Sequence, residues 1–249
     1  ATATIPSPRR TGSVGRRQTA EPGPFDIVVS KIERNRMTSL GYLEALALVR
    51  RTFAASPPPA RLHVLGRFFS CPFVRVLGYL PPAASVLDIG AGHGIFAHLA
   101  AEGGARRVMA VEPDLRKVAV FPGHRAIQVI AGYESAVSGF FDCVTLLDVL
   151  YRFPMEEWDS LFRSVLARLK PGGVFLVKEL DPENRAKAFW NRTQERISDS
   201  IGLTIGTAFS YEPPSRMRER FLAAGFSEFE AVGMGEWYPH AHVLYVGRK

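Results

Sequence analysis

The sequence predicts an α/β fold, a parallel sheet with helices packed against it, preceded by a helical extension. Three observations support this. From Ser85 onward, short apolar runs alternate with amphipathic stretches of helical period, the pattern of βαβ units. The first of those runs ends in a glycine-rich turn, Gly90, Gly92 and Gly94, that opens directly into a helix. The composition, 47% hydrophobic and 22% charged, is that of a chain able to bury a core, which excludes collagen-like and wholly disordered polypeptides.

Residues 1–24 contain Arg9, Arg10, Arg16 and Arg17, several prolines and glycines, and almost no large apolar side chain, which reads as a disordered basic tail. An organelle transit peptide is the weaker reading, because the prolines oppose the amphipathic helix it needs. The paired arginines also lack the apolar stretch of a twin-arginine export signal. Residues 25–82 read as an N-terminal helical cap. In the run Thr38 to Ala55, Leu40, Leu43, Ala47 and Val49 fall at helical spacing, and Pro57, Pro58 and Pro59 end it. A second helix is expected over Leu62 to Leu80, before Pro81 and Pro82.

Residues 83–249 form the core domain. Strands are expected at Ser85 to Ile89, Val108 to Val111, Ala126 to Ile130, Asp142 to Leu147 and Val174 to Val177. Helices are expected to begin near Gly94, Asp114, Met155 and Glu183, and a further helix covers Ser215 to Ala224. Two late strands follow, near Phe226 to Val232 and His242 to Val246. No internal repeat is present.

The bulk properties narrow the function. No apolar run approaches the roughly 20 residues that cross a bilayer, and no secretory signal pattern stands near Ala1, so a soluble, cytoplasmic protein is expected. Cys71 and Cys143 are too few for a disulfide scaffold and lack the paired spacing of a zinc site, so buried thiols and no metal are expected. The net charge of +7 is unevenly spread: residues 1–80 hold 12 basic and 4 acidic side chains, and the remainder is close to neutral. An anionic partner would therefore meet the tail and cap first.

The stretch Val86 to Ala101, VLDIGAGHGIFAHLAA, runs strand, glycine loop, helix. Glycines there let a backbone approach a ligand closely, and the new helix presents free N–H groups to it. A dinucleotide fingerprint needs a third glycine at position 95, where Ile95 stands, which weakens a nicotinamide reading. The next strand ends at Glu112, whose carboxylate suits both hydroxyls of a ribose. Asp88 ends the first strand beside the same crevice, placed to hold an amino-bearing ligand. The plainer readings are a turn-capping Asp88 and a solvated Glu112.

The ordered segments VLDIGAGHG, VMAVEPD, FDCVTLLDVLYRF and LARLKPGG resemble the successive motifs of class I S-adenosylmethionine-dependent methyltransferases. The resemblance implies a Rossmann-like, seven-stranded, mostly parallel sheet with an antiparallel last strand and helices on both faces. It implies S-adenosylmethionine as cofactor, with Gly90, Gly92 and Gly94 against its methionine part, Glu112 on the ribose, Asp88 at the amino-acid end, and Pro113 with Asp114 beside the adenosine. Where many members place an acid for the adenine amino group, this chain has AGYESA; stacking by Tyr133 and a bond from Glu134 both stay open. Asp148, Val149, Leu150 and Tyr151 would face the sulfonium and acceptor, with a helix N-cap as the alternative for Asp148.

Methyl transfer asks an enzyme mainly to position the acceptor and exclude water. The catalytic candidates are Tyr151, placed on the acceptor side, and His240, which alternates with His242 so that at most one of the two faces the site. Lys187, Trp190, Gln194 and Glu195 form a possible further face over the acceptor pocket, or a surface helix with one buried Trp. The known acceptor signatures of nucleic-acid base methylation are missing, so a small-molecule or lipid-like acceptor is the first expectation. Nucleic-acid methylation through the basic N-terminal segment is the second, and a non-catalytic partner subunit the third.

Overall fold

The computed structural model describes residues 40–180, 212–235, 238 and 241–249. The helical cap comprises α1 (Tyr42–Thr52), α2 (Pro58–Ser70) and α3 (Phe73–Leu77). The core follows with β1 (Ser85–Ile89), α4 (Ile95–Glu102), β2 (Arg107–Glu112), α5 (Leu115–Val118), β3 (Ile127–Ala131), β4 (Phe141–Leu147), α6 (Trp158–Arg168) and β5 (Leu169–Leu180). The chain ends with α7 (Pro214–Ala224), β6 (Glu228–Gly233) and β7 (His242–Arg248). The expected basic tail, the helix expected from Glu183, and His240 lie outside the described residues.

The single helix expected over Leu62 to Leu80 is two helices. Pro72 has no N–H and forbids the helical conformation at the residue before it, so Cys71 turns extended at φ −122° and ψ 135° and the axis breaks there. The prolines expected only to end the first helix also start the second. Pro58 and Pro59 occupy the opening turn of α2, where a missing N–H costs nothing.

The strands stand in the order β3-β2-β1-β4-β5-β7-β6. β1 to β5 pair in parallel and β7 runs antiparallel, as the family resemblance implies, and the structure places β7 between β5 and β6. Side chains alternate between two cores, as the period of a strand requires. Val86, Val108, Ala110, Cys143, Val174 and Leu176 share one core with the cap and α4. Leu87, Ile89, Val111, Val144, Phe175 and Val177 share the other with Trp158 and Phe162 of α6 and Phe221 of α7. Each such buried side chain contributes about 1.5–3 kcal/mol over its exposed state.

From β1 the chain steps outward to β2 and β3, then returns to the other side of β1 with β4. The carboxyl ends of β1 and β4 therefore flank the topological switch point, the usual ligand crevice of an open α/β sheet. Both cysteines are buried free thiols. Among the described residues no helix is long and apolar enough to cross a membrane, and no group of three or more His, Cys, Asp and Glu is placed to hold a metal ion.

Candidate active site

One half of the crevice is made by the glycine turn and the ends of β1 and β2. Gly90, Gly92 and Gly94 adopt φ of +73°, +59° and +88°, a region that L side chains rarely enter. A Cβ on Gly90 would lie 2.5 Å from Cγ2 of Val149, so this residue is fixed by packing as well as by backbone. The amides of Gly90 and Ala91 both donate to the Val111 carbonyl, at 2.8 and 3.0 Å. The Gly92 amide donates to Oε2 of Glu112 at 2.7 Å, and that of Asp114 to Oε1 at 3.0 Å. Glu112 thus aligns the turn, and a carboxylate still has acceptor sites left after two such bonds.

Asp88, 2% exposed, accepts from the Thr145 hydroxyl through Oδ1 at 2.7 Å, while Oδ2 is buried with no hydrogen-bond partner among the described residues. Burial, with a smaller contribution from nearby Glu112, pushes its pKa up to about 7 despite the Thr145 bond. Pro113 is exposed next to Glu112, and the Tyr133 ring is 66% exposed just past the end of β3, whose last residue pairs with Glu112.

The other half is built from side chains. Asp148, which follows β4, has φ +58°, strained for a residue with a Cβ. Its carboxylate bridges two cations: Oδ1 accepts from Lys178 Nζ at 2.6 Å and Oδ2 from Arg67 Nη2 at 2.7 Å. It caps no helix, and the two cations hold it ionised, well below the usual carboxylate range, despite burial. Glu179, next on β5, accepts through Oε1 from the Val149 and Leu150 amides at 3.2 and 2.8 Å. Burial and the charge of Asp148 push its pKa up to about 8. Tyr151 is half-buried, with the Arg152 guanidinium 5.6 Å from its ring centre.

α2 joins the two halves. His63, Arg67 and Ser70 recur at helical spacing on one face. The His63 ring packs on that of His93 in the glycine turn, with centroids 5.0 Å apart. Arg67 reaches Asp148, and the Ser70 carbonyl accepts from His242 Nε2 at 2.7 Å. Burial, then the charges of His93, Arg67 and Lys117, lower the pKa of His63 to about 4, so it is neutral at pH 7.

Residues 63–229 match the model of the methyltransferase domain family. The chain belongs to that family. Its place is in the class I S-adenosylmethionine-dependent methyltransferase superfamily. Among curated proteins, none matches this sequence. Among solved structures, a mycolic acid cyclopropane synthase in complex with SAH and CTAB is 15% identical, with TM-score 0.55, over 71% of this chain and 82% of that one. Human N-acetylserotonin methyltransferase in complex with SAM is 19% identical, with TM-score 0.59, over 84% of this chain and 62% of that one. The Burkholderia thailandensis 1,6-didemethyltoxoflavin-N1-methyltransferase, with its substrate and S-adenosylhomocysteine bound, is 20% identical, with TM-score 0.55, over 84% and 90%. At these identities the likeness is one of fold.

The residues of this methyltransferase domain fit the cofactor. The buried Asp88 oxygen lacks a donor, as an amino-group acceptor would, and a Cβ on Gly92 would meet nothing within 4 Å, which leaves the turn open to a ligand. Asp88, the three glycines, Glu112 and Pro113 gather at the ends of β1 and β2. Asp148 and Tyr151 stand in the other half, past the end of β4, with the Asp148 carboxylate engaged by cations. The sequence reading missed Arg67, His63, His93 and Glu179. For Lys178 a signal was present: a lysine inside the apolar run Val174 to Val177 and onward needs a buried partner.

Proposed function

We propose that the chain transfers a methyl group from S-adenosylmethionine to a small-molecule or lipid-like acceptor. The observation that carries the choice of acceptor is the position of α2, tied to the glycine turn by His63, to the end of β4 by Arg67 and to β7 by Ser70. A helix fixed across both halves of the crevice suits an acceptor small enough to be enclosed, and enclosure excludes water. Two of the similar structures are methyltransferases named for small molecules, and a third is a mycolic acid cyclopropane synthase, in keeping with this acceptor class.

When bound, the cofactor supplies an electrophilic methyl carbon on a sulfonium. Glu112 would accept from the ribose hydroxyls while holding the Gly92 amide, and Asp88 would accept from the amino group. The left-handed glycines let the backbone approach the methionine part. On the other side Asp148, Tyr151 and Arg67 shape the acceptor's approach, because in-line transfer depends on position more than on proton chemistry.

Calorimetric titration with S-adenosylmethionine and with NAD tests the cofactor: binding of the first alone is expected, and binding of NAD alone removes the reading. Incubation with methyl-labelled cofactor and extracts of small metabolites, lipids, RNA and protein tests the acceptor. Label confined to RNA or protein would replace the small-molecule reading with a macromolecular one.

A further inference from the structure

Among the described residues the acceptor half of the crevice carries more positive than negative charge. Arg67 and Lys178 share the single carboxylate of Asp148, at 2.7 and 2.6 Å. A further carboxyl of this cluster, Glu179, is pushed toward its neutral form by burial and by Asp148 itself. Cys71, beside Asp148, is also neutral, its thiol pushed up to about 11 by burial. His242, the remaining titratable group that acts on Asp148, brings no negative charge. Two cations therefore face the Asp148 carboxylate among the described residues of this cluster.

Buried charge without a counter-charge is costly, so such an arrangement is stable only where the surplus meets an anion or water. Lys178 is fully buried and already spent on Asp148, whereas the Arg67 side chain keeps 33% of its surface exposed. A guanidinium offers five N–H donors in a planar fork, and Asp148 takes up Nη2 alone. The Asp148 bond and the 5.8 Å approach of its Cζ to the Phe73 ring centre hold that fork in place on α2.

We propose that Arg67 recognises an anionic group on the acceptor, a carboxylate or a phosphate, through the edge of its guanidinium that Asp148 leaves open. This rests on the methyl-transfer reading and names the acceptor's chemistry within it. Arg67 then selects for charge, while the fixed Asp148 keeps it from collapsing onto the cofactor side.

The test uses the full chain saturated with S-adenosylhomocysteine and three probes: benzoate, phenyl phosphate and the neutral isostere benzamide. Calorimetry is expected to show at least one anion binding about tenfold or more tighter than benzamide, the gain of a charge-assisted fork. The stronger of the two anions identifies carboxylate or phosphate. In Arg67→Met the advantage is expected to vanish, and in Arg67→Lys, which keeps the charge on Asp148 but not the fork, to fall about threefold or more. S-adenosylhomocysteine affinity is expected to be the same in all folded variants. Equal binding of benzamide and both anions in the unmutated protein overturns the inference, as does an anion preference that survives Arg67→Met. A loss of S-adenosylhomocysteine affinity in Arg67→Met also overturns it, by placing Arg67 on the cofactor. Failure of the unmutated chain to bind S-adenosylhomocysteine is seen before any probe is added and removes the methyl-transfer reading itself.

Discussion

On the proposed donor side of the crevice Glu112 and the glycine turn meet through backbone amides, within one βαβ unit. On the proposed acceptor side Arg67, Asp148 and Lys178 meet only through side chains, drawn from α2, the end of β4 and β5. A backbone-made site is fixed by local conformation and tolerates change in the side chains around it. A site of buried ions depends on every partner being present, since each is the other's solvation. In the proposed function the first half is then a general cofactor cradle, and the second the place where substrate choice is made.

The sharpest way to break the contrast is Asp148→Ala. It leaves Lys178 fully buried without a counter-charge, and unfolding in urea is expected to show a loss of about 3–5 kcal/mol. A loss below about 1 kcal/mol, the level of an exposed pair, would show that the acceptor side does not depend on its ions.

Asp88 gives the next largest effect. Its folded pKa of about 7 stands above the ordinary carboxylate value, so between roughly pH 4 and pH 7 the folded protein holds a proton that the unfolded chain has released. Stability then falls as pH rises through that window and levels off above it, by up to about 4 kcal/mol at 1.36 kcal/mol per unit. Asp88→Asn removes this slope, and the comparison of urea midpoints at pH 5 and pH 8 measures it. Saturating S-adenosylmethionine is expected to flatten the slope of the unmutated protein, because an amino group beside Asp88 favours the ionised form.

The two sides also differ in how much of them the sequence revealed. Asp88, Gly90, Gly92, Gly94 and Glu112 were legible because strand, turn and strand follow one another along the chain, and each residue type answers a local requirement. Arg67 pairs with Asp148 across 81 positions, and nothing near Arg67 distinguishes it from the other arginines of the cap. The antiparallel direction of β7 was given by resemblance, and its insertion between β5 and β6 was legible in neither the resemblance nor the local pattern. The break between α2 and α3 was legible in Cys71-Pro72, but the apolar period across it looked continuous. The position of α2 over the crevice depends on contacts with His93, Asp148 and His242, each far from it in sequence.

Gly90→Ala probes a point where the two sides touch directly. The new Cβ would enter a left-handed conformation, costing about 1–2 kcal/mol, and would push against Val149, whose amide is held by Glu179 on the acceptor side. Binding of S-adenosylhomocysteine is expected to weaken about tenfold or more. If the coupling is real, the Val149 shift also lowers the affinity for benzoate in the loaded protein. An effect on the cofactor alone would mean that the two halves act independently.

The smallest effect is expected where the donor side is only a helix end. Asp114 caps α5, its Oδ1 accepting the Arg116 amide at 3.0 Å, and its pKa is lowered to about 2 by the Arg116 side chain first. Asp114→Ala removes that cap at a surface position, for which about 0.5–1 kcal/mol is the ordinary loss. The Asp114 amide, which donates to Glu112, is untouched by the substitution, so cofactor affinity is expected to stay unchanged. That outcome would confirm a donor side made by its backbone. A fall of about tenfold or more in S-adenosylhomocysteine affinity would show instead that the Asp114 carboxylate itself takes part, and the two halves of the crevice would then differ less than their geometry suggests.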